Sequence, residues 1–447
     1  MSNKTLRDRC VPFSPDNDGF VGLKADTSKA LVYFPIGYQL GETEEELRKD
    51  ILHLLGVLRE FKYKKGHISK RNYDETDEVD FPLNAYLEII YYYMENGYYK
   101  EVDPIFRTRE RGKIDWPKTI KKQTPLLSLN KKKNTYSPVY TQFTVRESTP
   151  NENKEITRIH QHCVYRSFKI LGWIFTSFMP PKPEGKWDDE KFLYILHRKL
   201  SNTNNDKKKR LFQSMIDMIS KTDEDFEENL HFGTNEFEDL WEKLIDKTFN
   251  NADKNEFYPS ARWKLLYSDN KKTSNLKPDS IMIDKENKII YILDAKYYKY
   301  GFSSHFNLPD SADINKQVSY GEYIFDENIN GSYSKYLDSY DERFGWIYNA
   351  FLIPFNSHSN EFDLHSKYEN AGEAVTPWKS NDLEYEHIQT ILVDTKFLIY
   401  NYKSKSKDKM LELGEAIQNA YEKNQKIWIK LIYNLFFSTV NEKALKF

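Results

Sequence analysis

Pro278-Asp279-Ser-Ile-Met-Ile-Asp-Lys-Glu-Asn-Lys-Ile-Ile-Tyr-Ile-Leu-Asp294-Ala295-Lys296 contains two short apolar runs around a polar turn. Ile281, Met282 and Ile283 form the first run, Asp-Lys-Glu-Asn the turn, and Ile-Ile-Tyr-Ile-Leu the second run. Runs rich in Ile and Tyr with turn residues between them predict a β-hairpin. Side chains alternate along a strand, so Asp294 and Lys296 share one face, roughly 6.6 Å apart. Asp279, at the mouth of the first strand, comes beside them across the pair. Two carboxylates and an amine on one patch of sheet suit a hard divalent cation and a water held next to a lysine. A surface hairpin with solvated charges is the bland alternative. The apolar flanks argue against it, because a charged triplet is a poor way to end so hydrophobic a strand.

Pro-Asp followed by Asp-x-Lys resembles the PD-(D/E)xK nuclease core. There the acids hold Mg²⁺ and the lysine generates or orients the attacking hydroxide. That core has a further acid on a preceding helix. From Gly233 onward, Phe237, Leu240, Trp241, Leu244 and Ile245 recur at helical spacing, which predicts an amphipathic helix. Glu238 and Glu242 lie four apart on one flank of its apolar stripe. Asn235 followed three residues later by Glu238 reads as a capping box, which gives Glu238 a structural task. Glu242 has none, so it is the expected third metal-site carboxylate, with Glu238 as the fallback. After Lys296, Asp313 to Ile324 has helical character and brings Lys316, Gln317 and Tyr320 toward the hairpin. Gln317 and Tyr320 resemble the helical Gln/Tyr element of several nucleases of this superfamily, which helps orient the lysine and the phosphate.

A narrower resemblance rests on many short runs. They are Phe-Gly-Thr with Phe-Glu-Asp-Leu-Trp-Glu, Trp263-Lys-Leu, Lys277-Pro-Asp, Ile-Leu-Asp-Ala-Lys-Tyr-Tyr, Asp-Ile-Asn-Lys-Gln317 and Ile391-Leu-Val-Asp-Thr-Lys. Upstream stand Tyr86-Leu-Glu-Ile-Ile-Tyr-Tyr-Tyr, Gly112-Lys-Ile-Asp-Trp-Pro-Lys-Thr-Ile and Ile159-His-Gln-His-Cys. Together they resemble the LlaJI family of type II restriction endonucleases, itself similar to the McrC nuclease subunit of McrBC-type systems. The resemblance implies an α/β fold: a restriction-endonuclease-like core with a mixed central sheet flanked by helices. It also implies Asp279, Asp294, Lys296 and Glu242 as catalytic groups, with Gln317 in support and Mg²⁺ on the three acids. The implied activity is site-specific double-strand cleavage of DNA by phosphodiester hydrolysis, in defence against foreign DNA. A cognate DNA methyltransferase would be its functional, not physical, partner. Two alternatives stay open: an McrC-like subunit that needs an NTPase partner, and a DNA-binding scaffold with the site unused.

The chain has 447 residues, enough for two or three domains. Its net charge of −2 comes from 66 basic and 68 acidic residues, so any attraction to a polyanion must come from a local basic patch. Candidate patches are Lys118 to Gln123 with Lys131-Lys-Lys, and Lys207-Lys-Lys-Arg210, though such runs are more often solvated loops than binding sites. The two cysteines, Cys10 and Cys163, do not suggest a disulfide framework and suit a reducing cytosol. The start lacks the apolar core of a signal peptide, and no apolar run approaches the roughly 18 residues a span needs. A cytoplasmic protein without a membrane partner is expected.

Asn84 to Gly97 predicts a helix, followed by a basic segment with Arg107, Arg109, Arg111 and Lys113. Helix, turn and basic β-element suit an α+β DNA-recognition domain, of winged-helix or related type, with these four as DNA contacts. A helix beside a sheet with solvated arginines fits as well. Pro180-Pro-Lys-Pro-Glu-Gly185 is the clearest linker signal. The expected domains are therefore 1–182 for recognition and 186–447 for the nuclease. Helical patterns at Lys191 to Leu200 and Leu211 to Ser220 would cover the nuclease sheet.

Three features are set aside. Asp394-Thr-Lys396 also ends an apolar run, but no Pro-Asp opens a partner strand before it, so it reads as core. His160 and His162 lack a carboxylate partner at metal-ligand spacing and read as structural. No Walker A motif is present, so nucleotide-driven steps would need another protein.

Overall fold

The computed structural model describes residues 5–14, 19–26, 29–62, 82–130, 135–151, 154–220, 231–260, 262–267, 271–272, 277–300, 307–358 and 366–444. The expected basic run Lys131 to Lys133 lies outside them. Two compact units emerge. One joins Met1–Thr76 to Glu228–Phe447, and the other is Asp77–Glu227. This corrects the 1–182 and 186–447 boundary. The first 76 residues belong with the hairpin, and the proline-rich segment lies inside the second unit.

The first unit is built on a five-stranded mixed sheet. Its strands are β1 (Ser280–Asp284), β2 (Ile289–Ala295), β3 (Trp346–Phe355), β4 (Tyr368–Ala374) and β5 (Ile388–Asp394), in the order β1-β2-β3-β5-β4. β1 is antiparallel to β2, β2 and β5 are parallel to β3, and β4 is antiparallel to β5. In the β1–β2 turn, Asp284 Oδ1 accepts the backbone N–H groups of Glu286 and Asn287, and Lys288 takes a positive φ of 53°. All seven residues of β2 are buried. That explains its unbroken apolar run, since a central strand paired in parallel is covered on both faces.

Helices supply the cover. The unit holds α1 (Phe237–Phe249), α2 (Ser311–Ile329), α3 (Thr395–Asn401) and α4 (Lys407–Ala444). On one face Ile281, Ile283, Ile290 and Ile292 pack with Tyr320 and Ile324 of α2. On the other, Tyr291 accepts a 2.6 Å hydrogen bond from Gln418 of α4. α1 buries Phe237, Leu240, Trp241, Leu244, Ile245 and Phe249, and Trp241 donates to the Leu352 carbonyl at 3.0 Å. Each such side chain contributes about 1.5–3 kcal/mol of burial, which fixes α1 against the strands that carry the acids. α1 starts at Phe237 with Glu236 as N-cap and no side-chain cap, so the Asn235–Glu238 capping box expected from sequence does not form.

Long-range pairing ties the N-terminal segment to this unit. A second sheet runs in the order Cys10–Val11, Lys29–Tyr33, Val21–Asp26, His231–Thr234. Ile36 donates its N–H to the Tyr297 hydroxyl at 2.8 Å, and its carbonyl accepts from Thr395 Oγ1 at 2.9 Å. Beside it Gly37 has a φ of +71°, and a Cβ there would lie 2.6 Å from the Phe355 carbonyl carbon, so only glycine lets the chain pass.

The second unit packs helices Leu83–Asn96, Glu155–Leu171, Asp189–Ser201 and Asp206–Ser220 together. The last two were expected to cover the nuclease sheet; they pack here instead. Glu101–Arg109 pairs antiparallel with Phe143–Asn151, and Leu126–Asn130 pairs with Thr135–Val139. Among the described residues these strands pair only two by two. His160 is buried, accepts the Tyr99 N–H at 2.9 Å and has its pKa pushed down to about 3 by burial, as a structural histidine would. His162 meets the Glu184 carbonyl at 3.3 Å, which tethers the proline-rich segment although most of its residues are exposed. Cys10 and Cys163 are both free and buried. No helix among the described residues is long and apolar enough to cross a membrane.

Candidate active site

The acids gather where β1 begins and β2 ends. The β1–β2 register pairs Ser280 with Leu293 and Ile281 with Ile292, so one further step places Asp279 opposite Asp294. Asp279 Oδ2 accepts the Ala295 N–H at 2.7 Å, which pins it across the strand ends. Burial first, then the charges of Asp294 and Glu242, push the Asp279 carboxyl up to about 8. A carboxylate so crowded by like charge is one that a cation would relieve.

Asp294 is 2% exposed, and its two oxygens differ. Oδ2 is 2.8 Å from Lys296 Nζ, while Oδ1 is buried without a hydrogen-bond partner and has only the Lys316 ammonium, at 4.0 Å. The Lys296 ammonium also meets Asp313 Oδ1 at 2.8 Å. Burial alone would lower the Lys296 pKa, but the Asp294 charge and the hydrogen bonds to Asp294 and Asp313 outweigh it and hold it above its ordinary value. Lys296 is therefore an ammonium at neutral pH, suited to donating hydrogen bonds and not to taking a proton.

On α1 the two glutamates separate. Burial, then the charges of Asp239 and Asp294, raise the Glu242 pKa, while Lys296 and Lys316 oppose the rise. Glu242 still reaches solvent, so the shift is not counted as stored energy, and the Asp294 contribution is what places it near the acids. Glu238 instead acts on the Tyr297 hydroxyl. On α2, Gln317 is buried and donates to the Ile292 carbonyl at 3.1 Å and to Asn349 Oδ1 at 3.2 Å. These bonds tie α2 to the sheet. The Gln317 Oε1 and the Tyr320 hydroxyl are buried without hydrogen-bond partners. Burial, then Asp294 and Asp279, raise the Tyr320 pKa, which places that phenol beside the acids.

Sequence reading missed Asp313 and Tyr298. A signal existed: Asp310 after Leu-Pro is an N-cap, accepting the N–H groups of Ala312 and Asp313, which puts Asp313 in the first turn of α2. What could not be read was that this turn meets Lys296. Arg107 and Arg109 lie in the other unit, both half-exposed and 3.6 and 3.4 Å from Glu147, which offsets part of their charge. Arg111 and Lys113 follow them in the exposed turn. A groove of about 560 Å³ lined by Lys367, Glu412, Asn419 and Lys423 contains none of Asp279, Asp294 and Glu242.

A family model for the LlaJI restriction endonuclease matches residues 20–371. The chain belongs to that family. It is 24% identical over 288 residues to the Type II restriction enzyme BsuMI component YdjA of Bacillus subtilis (strain 168), covering 60% of this chain and 57% of that protein. The chain thus spans a little over half of that relative's length. A solved complex of Thermococcus gammatolerans McrB AAA+ hexamers with bound McrC aligns with 17% identity and a TM-score of 0.34, covering 88% of this chain and 82% of that one.

Proposed function

We propose that the chain is the nuclease of a restriction system and cleaves both strands of duplex DNA by Mg²⁺-dependent phosphodiester hydrolysis at a PD-(D/E)xK site. Family membership supports a restriction endonuclease. The observation that carries the chemistry is the buried Asp294 Oδ1, left without a hydrogen bond beside a second acid whose pKa is raised to about 8. Buried carboxylate oxygens rarely go unsatisfied, and a divalent cation satisfies this one. Asp279, Asp294 and Glu242 would hold it. Among the described residues no three acids, histidines or cysteines already stand together as a metal-holding group. When bound, the cation supplies charge stabilisation to the scissile phosphate.

The protein's own groups do the rest. Lys296, kept protonated, donates a hydrogen bond to the attacking water or to a phosphate oxygen, stabilising charge as it develops. Lys316, a third exposed and near Asp294, adds positive charge on the solvent side. Arg107, Arg109, Arg111 and Lys113 are the proposed DNA contacts of the second unit. A cognate methyltransferase would protect host DNA.

The deciding experiment incubates the purified chain with Mg²⁺ and unmethylated plasmid DNA, without nucleotide. Discrete fragments support a self-sufficient site-specific enzyme. A second reading has its own support, because the matched Bacillus relative is described as a component of its enzyme. On that reading cleavage appears only when partner subunits, such as an NTPase, are added. No cleavage under either condition defeats both.

A further inference from the structure

We propose that Asp313 is a positioning residue for Lys296, an inference that rests on the nuclease reading above. An ammonium has three N–H donors. In Lys296 one goes to Asp294 and one to Asp313, both at 2.8 Å, which leaves one for substrate. The two acids come from different elements: Asp294 from the end of β2, Asp313 from the first turn of α2. Asp294 alone would draw the ammonium onto the carboxylate whose other oxygen the cation needs. Asp313 pulls from the far side and fixes the ammonium between them.

An acid in a first helical turn has an ordinary role, stabilising the N-terminal end of the helix dipole. Here that role is filled by Asp310, whose side chain caps α2 through Ala312 and Asp313. The Asp313 oxygens go instead to two groups outside the helix. Oδ1 takes Lys296, and Oδ2 accepts the Tyr298 hydroxyl at 3.2 Å. Tyr298 sits two residues beyond Lys296 and so points to the same side of the extended chain. Lys296 and Tyr298 therefore grip one carboxylate, and the Lys–Asp–Tyr arrangement locks the first turn of α2 to the chain leaving β2.

The test uses the full-length chain and two readouts. The first is the pH dependence of acylation of the Lys296 amine by acetic anhydride, followed by mass spectrometry, which needs no activity. Asp313→Asn keeps the shape and removes the charge, so the ammonium loses an opposing partner and its pKa falls. A fall of one unit makes labelling at a given pH about tenfold faster. The second readout is cleavage under the condition that supports it: Asp313→Asn should lower kcat by roughly 10–100-fold with KM for DNA unchanged. Tyr298→Phe leaves α2 intact, frees one Asp313 oxygen and should give a smaller effect in the same direction, which keeps the test open if Asp313→Asn folds poorly. Lys296 labelling that matches wild type at every pH in both variants overturns the proposal. Asp294→Ala separates the two ideas. An Asp294→Ala protein that cuts like wild type defeats the nuclease reading, whereas an inactive one alongside wild-type labelling in Asp313→Asn defeats only this inference.

Discussion

Two strands of the same sheet end in Asp-x-Lys, and they put the motif to opposite uses. β2 ends at Asp294-Ala-Lys296 and β5 at Asp394-Thr-Lys396, both parallel to β3 between them. Asp394 is fully engaged: Oδ1 accepts the Phe397 N–H at 2.5 Å, and Oδ2 accepts the Ser357 N–H at 3.2 Å and its hydroxyl at 2.6 Å. Lys396 turns away to buried Asp50 at 2.9 Å, which also takes the Tyr38 and Tyr400 hydroxyls and the Gly41 N–H. Asp294 keeps one oxygen without a hydrogen bond, and Lys296 stays between two acids. The downstream chain makes the difference. After Asp394 a helix begins at once, so the aspartate becomes its cap. After Lys296 the chain runs on, and α2 returns later to bring Asp313.

The largest contrast is in activity. Asp294→Ala should reduce cleavage by on the order of 10²–10³-fold or more while the protein stays folded, as for loss of a group that stabilises transition-state charge. Asp394→Ala should do the reverse, costing about 2 kcal/mol of stability through the lost cap and the unpaired Ser357 groups while activity per folded molecule holds. Plasmid cleavage alongside urea denaturation decides it; two variants with the same profile would end the distinction. Next comes Glu242→Gln, which should lower cleavage by about tenfold or more at limiting Mg²⁺ and be partly rescued by excess metal, since tenfold is only about 1.4 kcal/mol. A metal titration that matches wild type would remove Glu242 from the site.

A smaller effect sharpens the contrast through pH. The Asp279 carboxyl is raised to about 8 in the folded chain, against about 4 when unfolded. Below both values neither state is charged and nothing is lost. Above both, the folded state carries the full cost, so stability falls as pH rises across that window. Without metal, Asp279→Asn should therefore raise the melting temperature at pH 8.5 by roughly 2–4 °C for each kcal/mol relieved, with little change at pH 4. Asp394→Asn should lower it at both. An Asp279→Asn melting shift that is the same at both pH values would break the argument. The smallest expectation is Glu238→Gln. With no capping box to lose, it should stay within about 0.5 kcal/mol of wild type.

The sequence disclosed the parts of the site that depend on local pattern. The hairpin, the helical stripe around Trp241 and the helix carrying Gln317 each follow from periodicity within a dozen or so residues, and Asp394 read correctly as core because no Pro-Asp preceded it. Long-range contact escaped. Nothing near Val21 shows that it pairs with Thr234, and nothing near Asp313 shows that it reaches Lys296. Pro180 to Gly185 misled for a related reason. Prolines forbid helix, but they do not decide whether the extended chain is free or packed. Here Glu184 meets His162, and Arg166 lies over the Trp187 ring at 5.1 Å.

The way the chain closes Gly37 onto Phe355 bears on when the enzyme can first act. A ribosome makes the N-terminal strands early, then the whole of the inserted unit, and only afterwards the strands that receive them. At about 5–20 residues per second, the interval between Gly37 and Phe355 is roughly a quarter of a minute to a minute. A chain released before that point lacks β3, the strand against which Asp294 and Lys296 are set. On the nuclease reading proposed above, truncated products would thus be made without a working centre.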